Sequence, residues 1–508
     1  MSRIYSEAAK VLHKIDKGRQ GVRSALYSDD QFSRNVKKLS ALVYGVLKRK
    51  NEIEHIIKEC KILEDFRSSG NDILNFWLLY VLIYEQFYGN LKIQGGGALA
   101  SFVRKNKDKM FEYISKRFPE SLKNHKDNKQ DDYIPRYLRV NQSISTVSDV
   151  LDAIHKQIEE TNLFLKEDFS KYIQIDKDIK NLLVCRPDIA KALSLDRTPS
   201  INELIKFGKV VLQDKGSCFS ALAAEISPGD IVLDACSAPG SKAIQAIDML
   251  NKNGCLIALD RDNNRIKTLL KRLAEIPYLI GPYIMKKEGI FEVTEIYMVS
   301  DSILYSETGC IFLEKDPNVE NDSSEVNFLD YNEKPQFFIQ VLNRDFLTLE
   351  NNNDYIQLPW YNFRHNLNKA RIILLDPSCS GSGLPQHGEM NKNDIQDRLK
   401  SLSEFQTKML IHSLTSFSSV ETVCYSTCSV FKEENHSVVL NALKKCSKMS
   451  NFSFSLDKAI NNWRNPEFEY RKEFDEEIIN KCLSLNPKNH NCRGFFLAKF
   501  IRNKKQLS

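Results

Sequence analysis

The spacing of hydrophobic positions changes character along this chain of 508 residues. In the first quarter, the stretches SEAAKVLHKI, RNVKKLSALVYGVLKR and DILNFWLLYVLIYEQF place apolar residues three and four positions apart. This spacing is typical of amphipathic helices, so we predict a helical N-terminal domain over residues 1–130. A polar stretch rich in Lys and Asn at residues 124–132 is predicted to be a linker.

The segment 131–207 mixes two periodicities. Apolar and polar residues alternate in YIPRYLRVN as they do in a strand, whereas STVSDVLDAIHKQIEE has the spacing of a helix. We therefore predict a small α+β segment between the helical domain and the rest of the chain.

Short β-branched runs alternate with helical stretches over residues 208–508. The strand-like runs include DIVLDA, CLIALD, FFIQVL, ARIILLD, VETVCYST and GFFLAKFIR. Such alternation is typical of a parallel sheet with crossover helices, so the predicted fold class is α/β with a Rossmann-like domain. An acidic stretch rich in Ser and Asn, at about 285–336, interrupts the rhythm and is predicted to be an insertion, ordered in part at most.

Charge is unevenly distributed around a net value of +6. The first fifty residues carry twelve Lys or Arg against four Asp or Glu, whereas residues 301–335 carry nine acidic and two basic residues. The basic start favours a polyanionic partner such as RNA, although a charge run is more often only a solvated surface. The acidic stretch is unsuited to RNA.

Membrane and metal partners are not expected. The longest apolar run, FWLLYVLIY, has nine residues and is too short to span a bilayer, and the N-terminal residues lack a secretory h-region. We therefore expect an intracellular protein. The twelve cysteines include no CxxC pair, so we predict neither a zinc site nor a redox pair and expect most of the thiols to be buried.

The stretch IVLDACSAPGSKA reads as a strand, a turn of small residues and a helix. It matches neither the G-x-G-x-x-G pattern nor the phosphate-binding P-loop. Asp260 follows the next strand, where an acid commonly accepts hydrogen bonds from a ribose, and Asp345 follows the third strand, beside the expected adenine. The pattern favours an adenosine-type cofactor such as S-adenosylmethionine. The alternative is a Rossmann-like domain whose acids are ordinary surface residues.

Two cysteines, Cys379 in LLDPSCSGSG and Cys428 in YSTCSVFKEEN, directly follow predicted strands. Carbon 5 of a pyrimidine becomes nucleophilic when a thiolate adds to carbon 6, and a second thiol or base can then assist release. Asp376 could contact the pyrimidine ring nitrogen or exocyclic amine. The alternative is a pair of buried thiols at the ends of two strands.

These stretches carry a resemblance to a known family. The sequence resembles the Sun-domain (Nol/Nop/Sun) RNA cytosine carbon-5 methyltransferases in YIPRYLRVN, VVLQDKGSC, DACSAPGSKA, LIALDRDNNR, LLDPSCSGSG, YSTCSVFKEEN and GFFLAKF, which together span roughly residues 131–501. Within the family it is most similar to the branch that methylates large-subunit ribosomal RNA (the Rcm type). The motif reads APGSKA where the family usually has APGGKT or APGNKT, so Ala243 lacks a hydroxyl at the start of the helix.

The resemblance implies a role for each matching residue. Cys428 would be the nucleophile and Cys379 would assist product release, with Asp376 and Lys242 beside them. The implied S-adenosylmethionine contacts are Cys236, Ser237, Ala238, Pro239, Gly240, Ser241, Lys242, Asp260, Arg265, Asp345 and Asp376. The helical front and the YIPRYLRVN segment of residues 131–207 would bind RNA, with Arg136 and Arg139 as candidate contacts. The target base would have to leave its stack to reach Cys428.

The resemblance also implies the biological setting. The expected substrate is large-subunit rRNA, free or in a pre-ribosome, and the expected location is the nucleus, in the nucleolus, with no role for DNA. Two alternatives stay open: a tRNA cytosine methyltransferase, and a catalytically weak ribosome-assembly factor that binds RNA. The presence of Cys379, Cys428, Asp376 and Lys242 together argues against the second alternative.

Overall fold

The computed structural model divides the chain into two compact units, residues 1–132 with 384–398 and residues 133–383 with 399–508. The structure describes residues 2–16, 25–26, 36–68, 76–119, 134–160, 172–186, 199–273, 276, 295–299, 302–304, 337–349, 367, 369–384, 392–449, 453–461, 463, 465 and 471–503.

The first unit is helical, as the spacing of its apolar residues predicts. Its helices are α1 (Arg3–Asp16), α2 (Val36–Lys48), α3 (Lys50–Glu59), α4 (Ile62–Ser68), α5 (Phe76–Phe87), α6 (Ala98–Lys105) and α7 (Lys107–Arg117). Their apolar faces form one core, in which Leu12, Val43 and Ile83 are fully buried. None of the described helices is both long and apolar enough to cross a membrane.

The second unit begins with a small antiparallel sheet. Its elements are β1 (Arg136–Val140), α8 (Val147–Glu160), β2 (Ile173–Ile175), β3 (Leu182–Cys185), α9 (Pro199–Lys206) and β4 (Val210–Leu212), with the strand order β2-β3-β1-β4. Because β4 belongs to this sheet, the small α+β segment extends a few residues past the predicted limit at 207.

Arg139 occupies the centre of this sheet and is fully buried. Its Nη1 lies 2.7 Å from Asp248 Oδ2, and its Nε donates to Gln213 Oε1 at 2.8 Å. The prediction that Arg139 contacts RNA is therefore wrong, because a side chain without exposed surface and already ion-paired cannot reach a phosphate. Arg136, at the exposed first position of β1, stays a candidate.

The Arg139–Asp248 ion pair is expected to matter for stability. Replacing Asp248 by asparagine leaves a buried guanidinium without its counter-charge, which costs about 3–5 kcal/mol. The matched change Glu477→Gln breaks an exposed ion pair with Lys481 and should cost far less, because solvent screens exposed pairs. Urea denaturation measures both free energies of unfolding. Equal losses would contradict the assigned role of the buried pair.

The large sheet follows the small one along the chain. Its elements and the helices around it are α10 (Lys215–Ala223), β5 (Ile231–Asp234), α11 (Ser241–Leu250), β6 (Gly254–Leu259), α12 (Asn263–Leu273), β7 (Glu295–Val299), β8 (Ser302–Leu304), β9 (Phe337–Leu342), β10 (Ile372–Leu375), α13 (Lys392–Thr415), β11 (Thr422–Thr427), α14 (His436–Cys446), β12 (Phe454–Asp457), α15 (Glu476–Lys481), β13 (Leu483–Leu485), α16 (Pro487–His490) and β14 (Phe495–Arg502). Single 3₁₀ turns lie at Phe346–Thr348, Lys432–Glu434 and Arg471–Glu473.

The strand order of the large sheet is β12-β14-β11-β10-β5-β6-β9-β7-β8, with β13 also paired to β14. The five strands from β11 to β9 run parallel, as predicted, whereas β14 runs antiparallel beside β11. Successive residues of β10 pack into separate cores on opposite faces of the sheet, which explains its continuous apolar run. The strand order reverses between β5 and β10, the place where open α/β sheets bind ligands.

Two described strands fall within the predicted acidic insertion. The strands β7 and β8 form an antiparallel pair, in which Tyr297 lies opposite Leu304, and β7 continues the sheet beside β9. The rest of the predicted insertion, about 285–336, lies outside the described residues.

Candidate active site

The two cysteines singled out in the sequence lie side by side. The strands β10 and β11 are parallel neighbours with Leu375 opposite Tyr425, so the loops that follow them leave the same edge of the sheet. The Sγ atoms of Cys379 and Cys428 are 3.0 Å apart, and both residues are half-buried and form no disulfide. The arrangement gives one reactive centre with two thiols that touch.

Backbone contacts fix the loop that carries Cys428. The amide of Gly383 donates to the Cys428 carbonyl at 3.0 Å, and the amide of Gly494 donates to the Gly383 carbonyl at 2.9 Å. A Cβ atom at Gly383 would collide with the Gly494 carbonyl, so this close approach requires glycine. The Asn435 side chain adds a hydrogen bond to the Ser429 carbonyl at 2.9 Å.

An ion pair lies beside the thiols. Lys242 Nζ is 2.6 Å from Asp376 Oδ2, and Ser426 Oγ donates to Asp376 Oδ1 at 3.1 Å. Burial alone would lower the pKa of Lys242, but the charges of Asp376, Asp234 and Cys428 outweigh it and raise that pKa above its ordinary value. Lys242 is therefore a fixed cation whose charge interacts with the thiol of Cys428.

Asp234 ends β5 beneath this ion pair and is almost fully buried. Burial raises its pKa to about 7, although the positive charge of Lys242 acts in the opposite direction. The Cys379 thiol also has a pKa well above its ordinary value, because it hydrogen-bonds to Cys428 and is shielded from water. Either sulfur can donate the hydrogen that the two thiols share.

The turn after β5 is closed by backbone hydrogen bonds around Gly240. Gly240 has a φ of 104° and its amide donates to the Ser237 carbonyl at 2.8 Å, which closes the turn just before α11. The Ser237 amide bonds to the Leu259 carbonyl at 2.8 Å, and Arg265 donates to the Ala238 carbonyl. Cys236, Pro239 and Ser241 complete the turn, with Lys242 in the first turn of the helix.

Asp260, directly after β6, fits the ribose of an adenosine cofactor. It is only 3% exposed, and its Oδ1 accepts a hydrogen bond from the Asp262 amide at 3.0 Å. Its buried Oδ2 accepts no hydrogen bond from the described residues, although Arg265 Nη1 lies 3.2 Å away. A buried carboxylate at the end of the second parallel strand is at the position that commonly accepts hydrogen bonds from the hydroxyls of a ribose.

Asp345 follows β9, the third parallel strand, on the same edge as Asp260. The adjoining backbones are joined, since the Asp260 amide donates to the Leu342 carbonyl at 3.1 Å. Asp345 Oδ1 caps the short turn Phe346–Thr348 through the Leu347 amide at 3.0 Å. This capping bond orients the carboxylate and was not predicted from the sequence.

Two polar residues of the site were missed at the level of sequence. Glu434 and Gln406 are fully buried below the two thiol loops, where they hydrogen-bond to each other at 3.0 Å. Glu434 lies inside the stretch YSTCSVFKEEN, but its neighbour Glu433 has the same side chain and nothing in the sequence distinguishes them. Gln406 lies in the long helix α13 and carries no local signal.

His436, at the start of α14 below the site, gives a pH-dependent contribution to stability. It packs against Phe474 and Phe496, and burial lowers its pKa to about 4 from 6.5. The unfolded chain then binds the proton more tightly than the folded one. Stability should therefore be unaffected above pH 6.5 and fall as the pH drops toward 4, by up to about 3 kcal/mol.

The substitution His436→Phe isolates this effect, because phenylalanine fills a similar volume and binds no proton. The free energy of unfolding, measured by urea titration between pH 4 and 7, should decline less steeply for the variant than for the wild type. Parallel declines in the two proteins would refute the assignment to His436.

The chain matches the model of a known protein family. The model of the family described as 16S rRNA methyltransferase RsmB/F matches residues 221–345 and 351–501, more than half of the chain. A solved structure named PH0851 superposes with a TM-score of 0.52 at 14% identity and covers 99% of both chains. At that identity the likeness shows the fold alone.

Three named relatives span nearly the whole chain. The 28S rRNA (cytosine-C(5))-methyltransferase of Mus musculus is 25% identical over 98% of this chain and 91% of its own length. The 26S rRNA (cytosine-C(5))-methyltransferase nsun-5 of Caenorhabditis elegans is 24% identical over 98% of both chains. The 25S rRNA (cytosine-C(5))-methyltransferase rcm1 of Schizosaccharomyces pombe is 25% identical over 97% of this chain and 90% of its own.

Proposed function

Because the chain belongs to the 16S rRNA methyltransferase RsmB/F family, we propose that it transfers a methyl group from S-adenosylmethionine to carbon 5 of a cytosine in large-subunit rRNA. The observation that carries this proposal is the pair of thiols, Cys379 and Cys428, in contact at 3.0 Å beside the Lys242–Asp376 ion pair. The substrate is proposed from the names of relatives that act on 25S, 26S and 28S rRNA.

Cys428 is the nucleophile in the proposed reaction. Its thiolate adds to carbon 6 of the cytosine, and carbon 5 becomes electron-rich enough to accept a methyl group. The nearby cation of Lys242 favours the thiolate over the thiol. Asp376 is 30% exposed and faces the same space, where it would hold the ring nitrogen or exocyclic amine of the base.

Cys379 assists the release step. In the resting site its pKa is raised first of all by the hydrogen bond to Cys428. Once Cys428 is bound to carbon 6, its sulfur is part of an uncharged thioether. The hydrogen bond that raised the pKa of Cys379 is then lost, so the Cys379 proton becomes easier to remove. Release requires that a base takes the proton from carbon 5, that the freed electron pair re-forms the double bond to carbon 6, and that the Cys428 thiolate leaves. Cys379, which contacts that sulfur, would give its own proton to solvent and take the carbon 5 proton as a thiolate.

The cofactor would be held by the turn Cys236–Lys242, with Asp260 on the ribose and Asp345 beside the adenine. Arg265 would keep Asp260 and the Ala238 carbonyl in place. When bound, S-adenosylmethionine supplies the methyl group. Arg136, on the exposed end of β1, is retained as an RNA contact, and the nucleolus is the expected location because large-subunit rRNA is made there.

Methyl transfer from labelled S-adenosylmethionine tests the proposal. Purified protein is incubated with large-subunit rRNA, with tRNA and with double-stranded DNA, and methylated cytosines are mapped in the product. We expect incorporation at carbon 5 of cytosine in large-subunit rRNA alone. Incorporation into tRNA would support the tRNA alternative, and tight binding of rRNA without methyl transfer would support an assembly factor.

A further inference from the structure

Glu434 is a carboxylate at the site that the proposed chemical steps do not use. It ends the turn Lys432–Glu434 and has no exposed surface. Its Oε1 accepts hydrogen bonds from the Ser380 amide at 2.7 Å and from Gln406 Nε2 at 3.0 Å. Its Oε2 accepts a hydrogen bond from the Ser380 hydroxyl at 2.5 Å.

Among the described residues, the groups that donate hydrogen bonds to this buried carboxylate are all uncharged: a backbone amide, a hydroxyl and a side-chain amide. Burial without a cation is costly for a carboxylate, and hydrogen bonds to such a group are stronger than those between neutral partners. The bonds to Ser380 should therefore be stiff. By contrast, the serine hydroxyls that link the two thiol loops contact each other as neutral groups, for example Ser382 Oγ and Ser429 Oγ at 3.0 Å.

The hydrogen bonds of Glu434 and Gln406 bracket Cys379. Ser380 follows Cys379 and is held by Glu434, whereas Ser378 precedes it and its carbonyl accepts a hydrogen bond from Gln406 Nε2 at 3.0 Å. Glu434 is itself tied to β11, because the Tyr425 hydroxyl donates to its carbonyl at 2.6 Å. One buried pair thus acts as a clamp that holds both neighbours of Cys379 to β11, the strand that directly precedes Cys428.

We infer that Glu434, oriented by Gln406, is a positioning residue for product release: it holds the Cys379 thiol against Cys428 while the covalent adduct is resolved. This inference rests on the proposed function. The side-chain contacts of Glu434 and Gln406 hold the two neighbours of Cys379, whereas the loop of Cys428 is also held by the Gly383 amide and the Asn435 side chain. Loss of the clamp should therefore affect release far more than attack.

The variant Glu434→Gln tests the inference. Glutamine keeps one acceptor oxygen but carries no negative charge, and its NH2 group can bond to the Ser380 hydroxyl only if that hydroxyl turns round to accept. The bonds that hold Ser380 therefore weaken, and the loop of Cys379 is expected to loosen. We expect release to slow by about 10²-fold, in line with the effect of small misplacements of reacting groups, while the rate of the first methyl transfer changes by less than about threefold. Denaturant-stable protein–RNA adduct should accumulate. The neighbouring, more exposed Glu433→Gln is the matched control and should behave as wild type.

A double variant separates positioning from a general structural role. If Glu434 acts through Cys379, adding Glu434→Gln to Cys379→Ala should slow release no further. Equal slowing of attack and release, or additive losses in the double variant, would overturn the inference. Should Glu434→Gln fail to fold, Gln406→Met probes the same clamp and is expected to accumulate adduct. A folded wild type that yields neither methylated RNA nor adduct overturns the proposed function and the inference with it.

Discussion

Cys428→Ala is expected to abolish methyl transfer to large-subunit rRNA, with a loss of at least about 10⁴-fold, and to form no covalent adduct with RNA. The reason is that carbon 5 of cytosine is not nucleophilic until a thiolate has added to carbon 6, and alanine offers no replacement for that sulfur. Methyl incorporation from labelled S-adenosylmethionine and adducts that survive denaturing gels are the two measurements.

The control for this variant is Cys424→Ala. Cys424 lies on β11, just before Cys428 along the chain. It is fully buried and burial raises its pKa to about 12, so it is an unreactive thiol that belongs to the core. Its replacement should lower stability and leave methylation in place. Retained methylation in Cys428→Ala would show that another residue attacks the base, and Cys379 would become the candidate nucleophile.

Cys379→Ala is expected to give the opposite result to Cys428→Ala: the covalent adduct with RNA forms but is not released. Attack by Cys428 and methyl transfer still occur, but release loses its assisting thiol, so turnover should fall by about 10²–10⁴-fold, the usual contribution of a general acid or base. Each enzyme molecule would then stop after one methyl transfer, with RNA attached to Cys428. A single-turnover assay and a denaturing gel report these two quantities.

Two other results for Cys379→Ala would contradict the role assigned to Cys379 in release. Multiple turnover at the wild-type rate, without adduct, would remove Cys379 from the release step and leave its contact with Cys428 as packing. Complete loss of the first methyl transfer would place Cys379 in the attack step. The pH profile of release adds a check, because only the wild type should show a dependence on a thiol.

Much of the parallel sheet could be predicted from the sequence. The strands β5, β6, β9, β10 and β11 are short apolar runs followed by polar turns, and hydrophobic periodicity identifies such runs directly. Since the ends of parallel strands meet at one edge, the predicted strands also placed Cys379 near Cys428 and Asp260 near the turn after β5. The antiparallel direction of β14 could not be inferred, because strand periodicity does not encode direction.

Side-chain partners in the interior were harder to foresee. Arg139 and Arg136 occupy the same strand and have the same side chain, yet one is ion-paired with Asp248 across more than a hundred residues of sequence and the other faces solvent. Likewise, Glu434 is fully buried whereas its neighbour Glu433 is partly exposed. Such distinctions depend on which distant residues lie opposite in the folded chain, and a single sequence does not contain that information locally.

Mapping the covalent attachment point is the most direct test of the central claim. A large-subunit rRNA transcript in which 5-fluorocytidine replaces cytidine would trap the adduct, because fluorine on carbon 5 cannot leave as the proton does. After reaction with S-adenosylmethionine, protease and nuclease digestion and fragment-resolved mass spectrometry identify the modified residue. The account predicts a methylated nucleotide on Cys428 and none on Cys379. A nucleotide attached to Cys379, or the absence of any adduct, would contradict it.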